Sequence, residues 1–175
     1  MSAMTGLRYA EVLGLTVDDI DFKHKLISVN KTWDYKYHTG FKTTKNASSV
    51  RTVDVDKSTL VVIKQVIRQR RFKSHDRICI DLQGKLPVSA TINRYLENLC
   101  YQLNISPISF HRLRHTHASI LLFKGVNILS VSRRLGHHNA KRLSPCDKRN
   151  GRTRNKTDYE NHEYGISRLV SLYKS

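Results

Sequence analysis

The chain's 175 residues suit one domain, and a 39% hydrophobic share is enough for one core. Lysine and arginine number 31 against 14 aspartates and glutamates, a formal net charge of +17, so polyanions are the natural partners and nucleic acid the first candidate. A basic chain that binds nothing in particular is the bland alternative; a membrane span is excluded by the lack of any long apolar stretch, and a secretory signal by the order of the first residues.

Met1 to Arg8 reads as the end of one helix and the start of the next, with a short helix from Tyr9 to about Leu15. Nothing precedes these residues to pack against them, so the chain is expected to begin inside a domain. Leu26, Ile27, Val29 and Trp33 mark a strand-like run, Asn46 to Ser49 a turn, and Val50 to Val55 alternates apolar and polar residues. A small antiparallel sheet of two or three strands follows. Asp56 is placed to cap a helix carrying Leu60, Ile63, Val66 and Ile67 at helical spacing.

Ile78 to Ile80 is a short strand or loop. Ser89 is expected to cap the next helix, in which Ile92, Tyr95, Leu96, Leu99 and Leu103 form an apolar stripe. Pro107 breaks the chain. A helix from His111 to Lys124 should stop at Gly125, and Asn127 should cap another with Ile128, Val131 and Leu135 inward, closed by Gly136. From Lys141 to Asp158 the apolar side chains shrink to Leu143 and Cys146, and basic and small polar residues take over. Cys79 and Cys100 lie in apolar runs as ordinary buried thiols, Cys146 lies apart, and no C-x-x-C pair or zinc-finger spacing occurs. A reducing compartment, the cytoplasm, is the expected location.

Four clusters could carry chemistry: Thr5 to Leu15 with Arg8 and Glu11, Thr44 to Val53 with Lys45 and Arg51, Phe110 to Ser119 with His111 and Arg114, and Leu135 to His137. Each is ambiguous alone. Arg8 could be a surface arginine and Lys45 a solvated turn residue. His111 and Arg114 share a helix face, which suits either an anion clamp or an ordinary pair. His137 could simply follow a helix cap. Taken together, two arginines, a lysine and two histidines without a carboxylate cluster describe phosphate chemistry that needs no metal. Arginine forks oppose charge on the phosphate oxygens, lysine protonates a leaving oxygen, and histidine moves a proton.

The strings T-G-L-R-Y-A-E-V-L-G-L, S-S-V-R-T-V, F-H-R-L-R-H-T-H-A-S and R-L-G-H, in this order, resemble the catalytic domain of tyrosine recombinases. The likeness is to integrases of phages and conjugative elements of Gram-positive bacteria, and it covers roughly residues 1 to 140. It implies an α+β fold, mainly α, with a small antiparallel sheet. It also implies site-specific DNA recombination through a 3′-phosphotyrosine, on double-stranded DNA attachment sites. It implies further that no cofactor, metal, small-molecule substrate or membrane is needed, and that an intact homologue acts as a tetramer. On this resemblance Arg8 and Arg114 clamp the scissile phosphate, and Lys45 is the general acid, with Lys42 the weaker choice. His111 assists proton transfer, His137 hydrogen-bonds the phosphate, and Glu11 is a buried structural partner of the arginines.

The pattern departs from the family after His137. No tyrosine occurs between His137 and Asp158, and Tyr159, in the context Tyr-Glu-Asn-His162, is a weak candidate nucleophile. Residues 1–140 are therefore expected to be a partial catalytic domain lacking an N-terminal DNA-clamping partner. Residues 141–175 are expected to be an aberrant basic tail, irregular or falsely helical. A frameshift accounts for this, because synonymous codons for Lys141 to Gly151 read one base later can give Tyr-Leu-His. The alternative function is a non-catalytic DNA-binding fragment or a pseudogene product.

Overall fold

The computed structural model describes residues 1–44 and 49–137. The expected tail of 141–175, and with it Cys146 and Tyr159, lies outside the described residues, as does Lys45.

Ser2–Thr5 (α1) is a single turn ended by Gly6 at φ 71°. A β-carbon on Gly6 would lie 2.6 Å from Leu135 Cδ2 and 2.8 Å from His117 Cδ2. Glycine is thus needed there both for the left-handed backbone and for the close approach of two later helices. Tyr9–Gly14 (α2) follows at once with Arg8 as its N-cap residue. At Gly14 a β-carbon would sit 3.0 Å from the Thr32 backbone, which lets α2 lie tight against a strand.

The expected sheet divides in two. Ile20–Asp21 (β1), Leu26–Val29 (β2) and, farther along, Arg51–Asp54 (β5) form an antiparallel sheet in the order β1-β2-β5, with Ile27 opposite Val53 and both fully buried. Lys31–Trp33 (β3) and Phe41–Thr43 (β4) make a separate hairpin, with Trp33 opposite Phe41. Asp19 marks the division: its carboxylate takes the Lys31 ammonium at 2.5–2.6 Å and the Asn30 amide at 3.4 Å, just where the chain leaves β2.

Lys57–Arg70 (α3) is capped as its sequence predicts, the Asp56 carboxylate accepting from the Thr59 N–H at 2.9 Å. Its Leu60 and Ile63 close a core with Leu7, Val12, Leu15, Ile27, Val29 and Val53. Residues 78–80 are loop, with Ile78 buried in this core and Cys79 only half-buried.

Ser89–Gln102 (α4) corrects two expectations. The extended backbone ends at Val88, so Ser89 is already inside the helix and caps nothing. Tyr95 is exposed, while Cys100 is the fully buried residue of the helix. The face that packs runs through Ile92, Leu96 and Leu99 to Cys100, and Tyr95 lies off it.

Phe110–Phe123 (α5) and Ile128–Leu135 (α6) match expectation, the Asn127 side chain accepting from the Leu129 N–H and Gly125 and Gly136 both left-handed. Val131 and Leu135 are buried with Ala118 in a second small cluster; Ile128, expected inward, is exposed at the start of α6. No helix among the described residues is long and apolar enough to cross a membrane.

Candidate active site

Glu11 organises the site. Its carboxylate is 1% exposed, a costly place for a charge without partners. It has four donors. Oε1 accepts from Arg8 Nη1 at 2.7 Å and Arg51 Nη1 at 3.1 Å, and Oε2 from the Arg8 backbone N–H at 2.8 Å and Arg51 Nη2 at 2.9 Å. Burial pushes the Glu11 carboxyl up, but the hydrogen bonds and charges of Arg51 and Arg8 outweigh it and hold the group below the usual carboxylate range. The role expected of Glu11, a buried partner of the arginines, is what its contacts give.

Arg114 projects from the second turn of α5 and is itself 5% exposed. It donates through Nη1 to the Gly6 carbonyl at 2.6 Å and through Nη2 to the Leu135 carbonyl, and Nη1 stands 4.0 Å from Glu11. Desolvation, and the like charges of Arg8 and Arg51, push its guanidinium down to about 9 against the raising effect of Glu11. It remains charged at neutral pH. Three guanidiniums thus face one carboxylate, an excess of positive charge that an incoming anion relieves.

Arg8 is partly open to solvent, its side chain 39% exposed, and its Nη2 donates to the Gly136 carbonyl at 3.0 Å. Arg8, Arg114 and His111 line one hollow of about 220 Å³. Three of the five expected side chains therefore line the same hollow. His137 comes directly after Gly136, the Arg8 acceptor, and its backbone N–H donates to the Ser132 carbonyl, so it is held near the hollow without lining it. Lys45 cannot be placed against them, since it lies outside the described residues. Lys42, the weaker alternative, is engaged elsewhere: its ammonium is 2.7 Å from Asp34, whose carboxyl is held far below its usual range by hydrogen bonds from Lys42 and Thr39. The His111 and His115 rings meet edge-on, Nε2 to Nε2 at 3.1 Å, so one ring donates and the other accepts.

Two features were missed by reading the sequence. Arg51 is a strut: besides Glu11, it donates to the Arg134 carbonyl at 2.6 Å and the Ser49 carbonyl at 3.0 Å, tying β5 to α6. The signal was present in V-R-T-V, where Arg51 shares a strand face with buried Val53. His117 is the second. Its Nδ1–H donates to the Ala3 carbonyl at 3.0 Å and its Nε2 accepts from Arg134 Nε at 3.1 Å, which fixes a neutral ring. Burial and the charges of Arg134 and Arg114 lower it to about 4, against the Ala3 hydrogen bond.

The model of the phage integrase family matches residues 2–144. The integrase of Staphylococcus phage L54a is 30% identical over 154 residues, which cover 81% of this chain and 44% of that one. The chain belongs to the phage integrase family. Another relative in the family is the ICEBs1 integrase of Bacillus subtilis, 29% identical over 79% of this chain and 40% of its own length. The chain therefore spans less than half the length of these relatives. Among solved structures, the Tn1549 transposon integrase bound to transposon right end DNA superposes with a TM-score of 0.70 at 20% identity, over 97% of this chain and 56% of that one. The XerA recombinase superposes with a TM-score of 0.68 at 21% identity, over 95% and 54%. At these identities the likeness is one of fold, and it is the mainly α fold with a small antiparallel sheet that the sequence implied: the tyrosine recombinase catalytic domain.

Proposed function

We propose that this chain grips a DNA phosphodiester for strand cleavage and rejoining in site-specific recombination. The observation that carries the reading is the convergence of Arg8, Arg114 and His111 on one hollow, with Glu11 and Arg51 holding the two arginines from behind. Family membership points the same way.

In this reading Arg8 and Arg114 hold the non-bridging oxygens and oppose the charge that builds on phosphorus. A tyrosine oxygen attacks phosphorus, the bond to the 5′ oxygen breaks, and a 3′-phosphotyrosine forms. Lys45 gives its proton to the departing 5′ oxygen, His111 assists loss of the tyrosine proton, and His137 donates to the phosphate. Rejoining runs these steps backwards, so no external energy source or metal takes part. The partner is double-stranded DNA, with a tetramer of complete chains as the working assembly and the cytoplasm as the compartment.

The reading is tested with nicked duplexes carrying random sequence around the nick, from which the cleaved end diffuses away. A protein–DNA adduct that survives denaturant, and that Arg114→Ala and Tyr159→Phe both abolish, is the expected result. An adduct that Arg114→Ala leaves intact overturns the site assignment. A second reading rests on the lack of any tyrosine from 138 to 158: binding without cleavage. It expects salt-sensitive duplex binding, weakened by Arg8→Ala, and no adduct.

A further inference from the structure

The hollow has lining residues that phosphate chemistry leaves unexplained. Three aromatic rings line it together with Arg8, His111 and Arg114. Tyr9 lies edge-on to Tyr35, centroids 5.0 Å apart, and edge-on to Phe110 at 5.4 Å. Tyr9 is anchored, its hydroxyl donating to the Pro87 carbonyl at 2.6 Å. Tyr35, on the loop joining β3 to β4, is 39% exposed and keeps ring surface open. A polar edge completes the hollow. Asn93 Oδ1 accepts from the Phe110 N–H at 2.8 Å, and since a backbone N–H can only donate, the amide orientation is fixed with its NH2 group as the free end. Positive charge, aromatic face and amide donors within about 220 Å³ match the three parts of a nucleotide: phosphate, sugar and base face, and base edge. The volume falls below that of pockets enclosing a drug-sized ligand, about 300–1,000 Å³, so there is no room for a stack of bases and part of the nucleotide stays outside.

We propose that the hollow seats one nucleoside, attached to the phosphate gripped by Arg8 and Arg114, with its base out of the helical stack and lying against Tyr35. A paired base has both faces covered by its neighbours, whereas an unstacked one offers a face to an aromatic ring. Tyr35 is then a positioning residue for the nucleotide at the site of chemistry. The Asn93 amide donors favour bases that present an acceptor. The inference rests on the phosphate grip proposed above.

The full chain is titrated with deoxynucleoside 5′-monophosphates and with 2-deoxyribose 5-phosphate, monoesters of the same charge that differ by the base. Binding is followed by the tyrosine and histidine ring resonances. The nucleotides are expected to bind about fivefold or more tightly than the sugar phosphate. Tyr35→Ala should remove that difference and Tyr35→Phe restore it; if the alanine variant loses its fold, Tyr35→Leu, which keeps bulk without a ring, takes its place. Equal affinity for both esters, each weakened by Arg8→Ala, overturns the nucleoside site and leaves the phosphate grip standing. A base preference that survives in Tyr35→Ala and Tyr35→Leu also overturns it. If Arg8→Ala changes neither affinity, the phosphate reading falls and the nucleoside site with it.

Discussion

Arg51 and Glu11, 40 residues apart in sequence, meet through two parallel hydrogen bonds of 3.1 and 2.9 Å. This fork-to-fork pairing draws strand β5 onto helix α2 and leaves the remaining faces of the carboxylate to Arg8 and Arg114. The arginines that face the hollow are thus aimed by one that does not.

Replacing Glu11 by Gln keeps the shape and removes the negative charge. Three guanidiniums then lie together uncompensated, and the fold is expected to lose about 3–5 kcal/mol, the range for breaking a buried ion pair. Added sulfate should raise the melting temperature of Glu11→Gln more than that of the native chain, because an anion in the hollow replaces part of the lost charge. Equal sulfate responses in parallel thermal scans would refute the charge argument.

Arg51→Lys tests geometry at constant charge. A lysine ammonium cannot span both oxygens of Glu11 and also reach the Arg134 and Ser49 carbonyls. A loss of about 2–3 kcal/mol in urea unfolding is expected, with weaker DNA binding although the net charge is unchanged. A variant as stable as the native chain would mean that the fork is ornamental.

Gly6→Ala puts a methyl group 2.6 Å from Leu135 and into a left-handed backbone. Strain and overpacking together predict a loss of about 2–4 kcal/mol. Because Arg114 donates to the Gly6 carbonyl, phosphate affinity should fall alongside stability. An unchanged denaturation midpoint would contradict the packing described.

His117 predicts an acid sensitivity. Its folded value of about 4 lies below the ordinary 6.5, so between these values the unfolded chain binds the extra proton and the folded one does not. The stability held above pH 6.5 is therefore lost as pH falls toward 4. The gap bounds the loss at about 3 kcal/mol. Melting temperatures measured across that window should slope less in His117→Asn than in the native chain; identical slopes would remove His117 from the account.

Much of this was legible in the residues. Arg8, Glu11, His111 and Arg114 stand at motif spacings, and Asp56, Asn127 and Gly136 punctuate helices by local chemistry that one stretch of chain contains. What escaped depends on distant partners. Arg51 and His117 take their roles from Glu11, Arg134 and Ala3, which no local period announces. The sheet divides where Asp19 takes Lys31, a long-range pairing that alternation of polar and apolar residues cannot express. The aromatic cluster joins Tyr9, Tyr35 and Phe110 from three separate segments.

The two arginines of the hollow are held by distant backbone: Arg8 hydrogen-bonds to a carbonyl 128 residues downstream, and Arg114 to one 108 residues upstream. On a ribosome the earlier arginine waits, with its acceptor carbonyl not yet made, until the C-terminal end of α6 emerges. Loops of that length close slowly. A half-synthesised chain holds these arginines without their buttresses, and their arrangement arrives in one late step together with the fold.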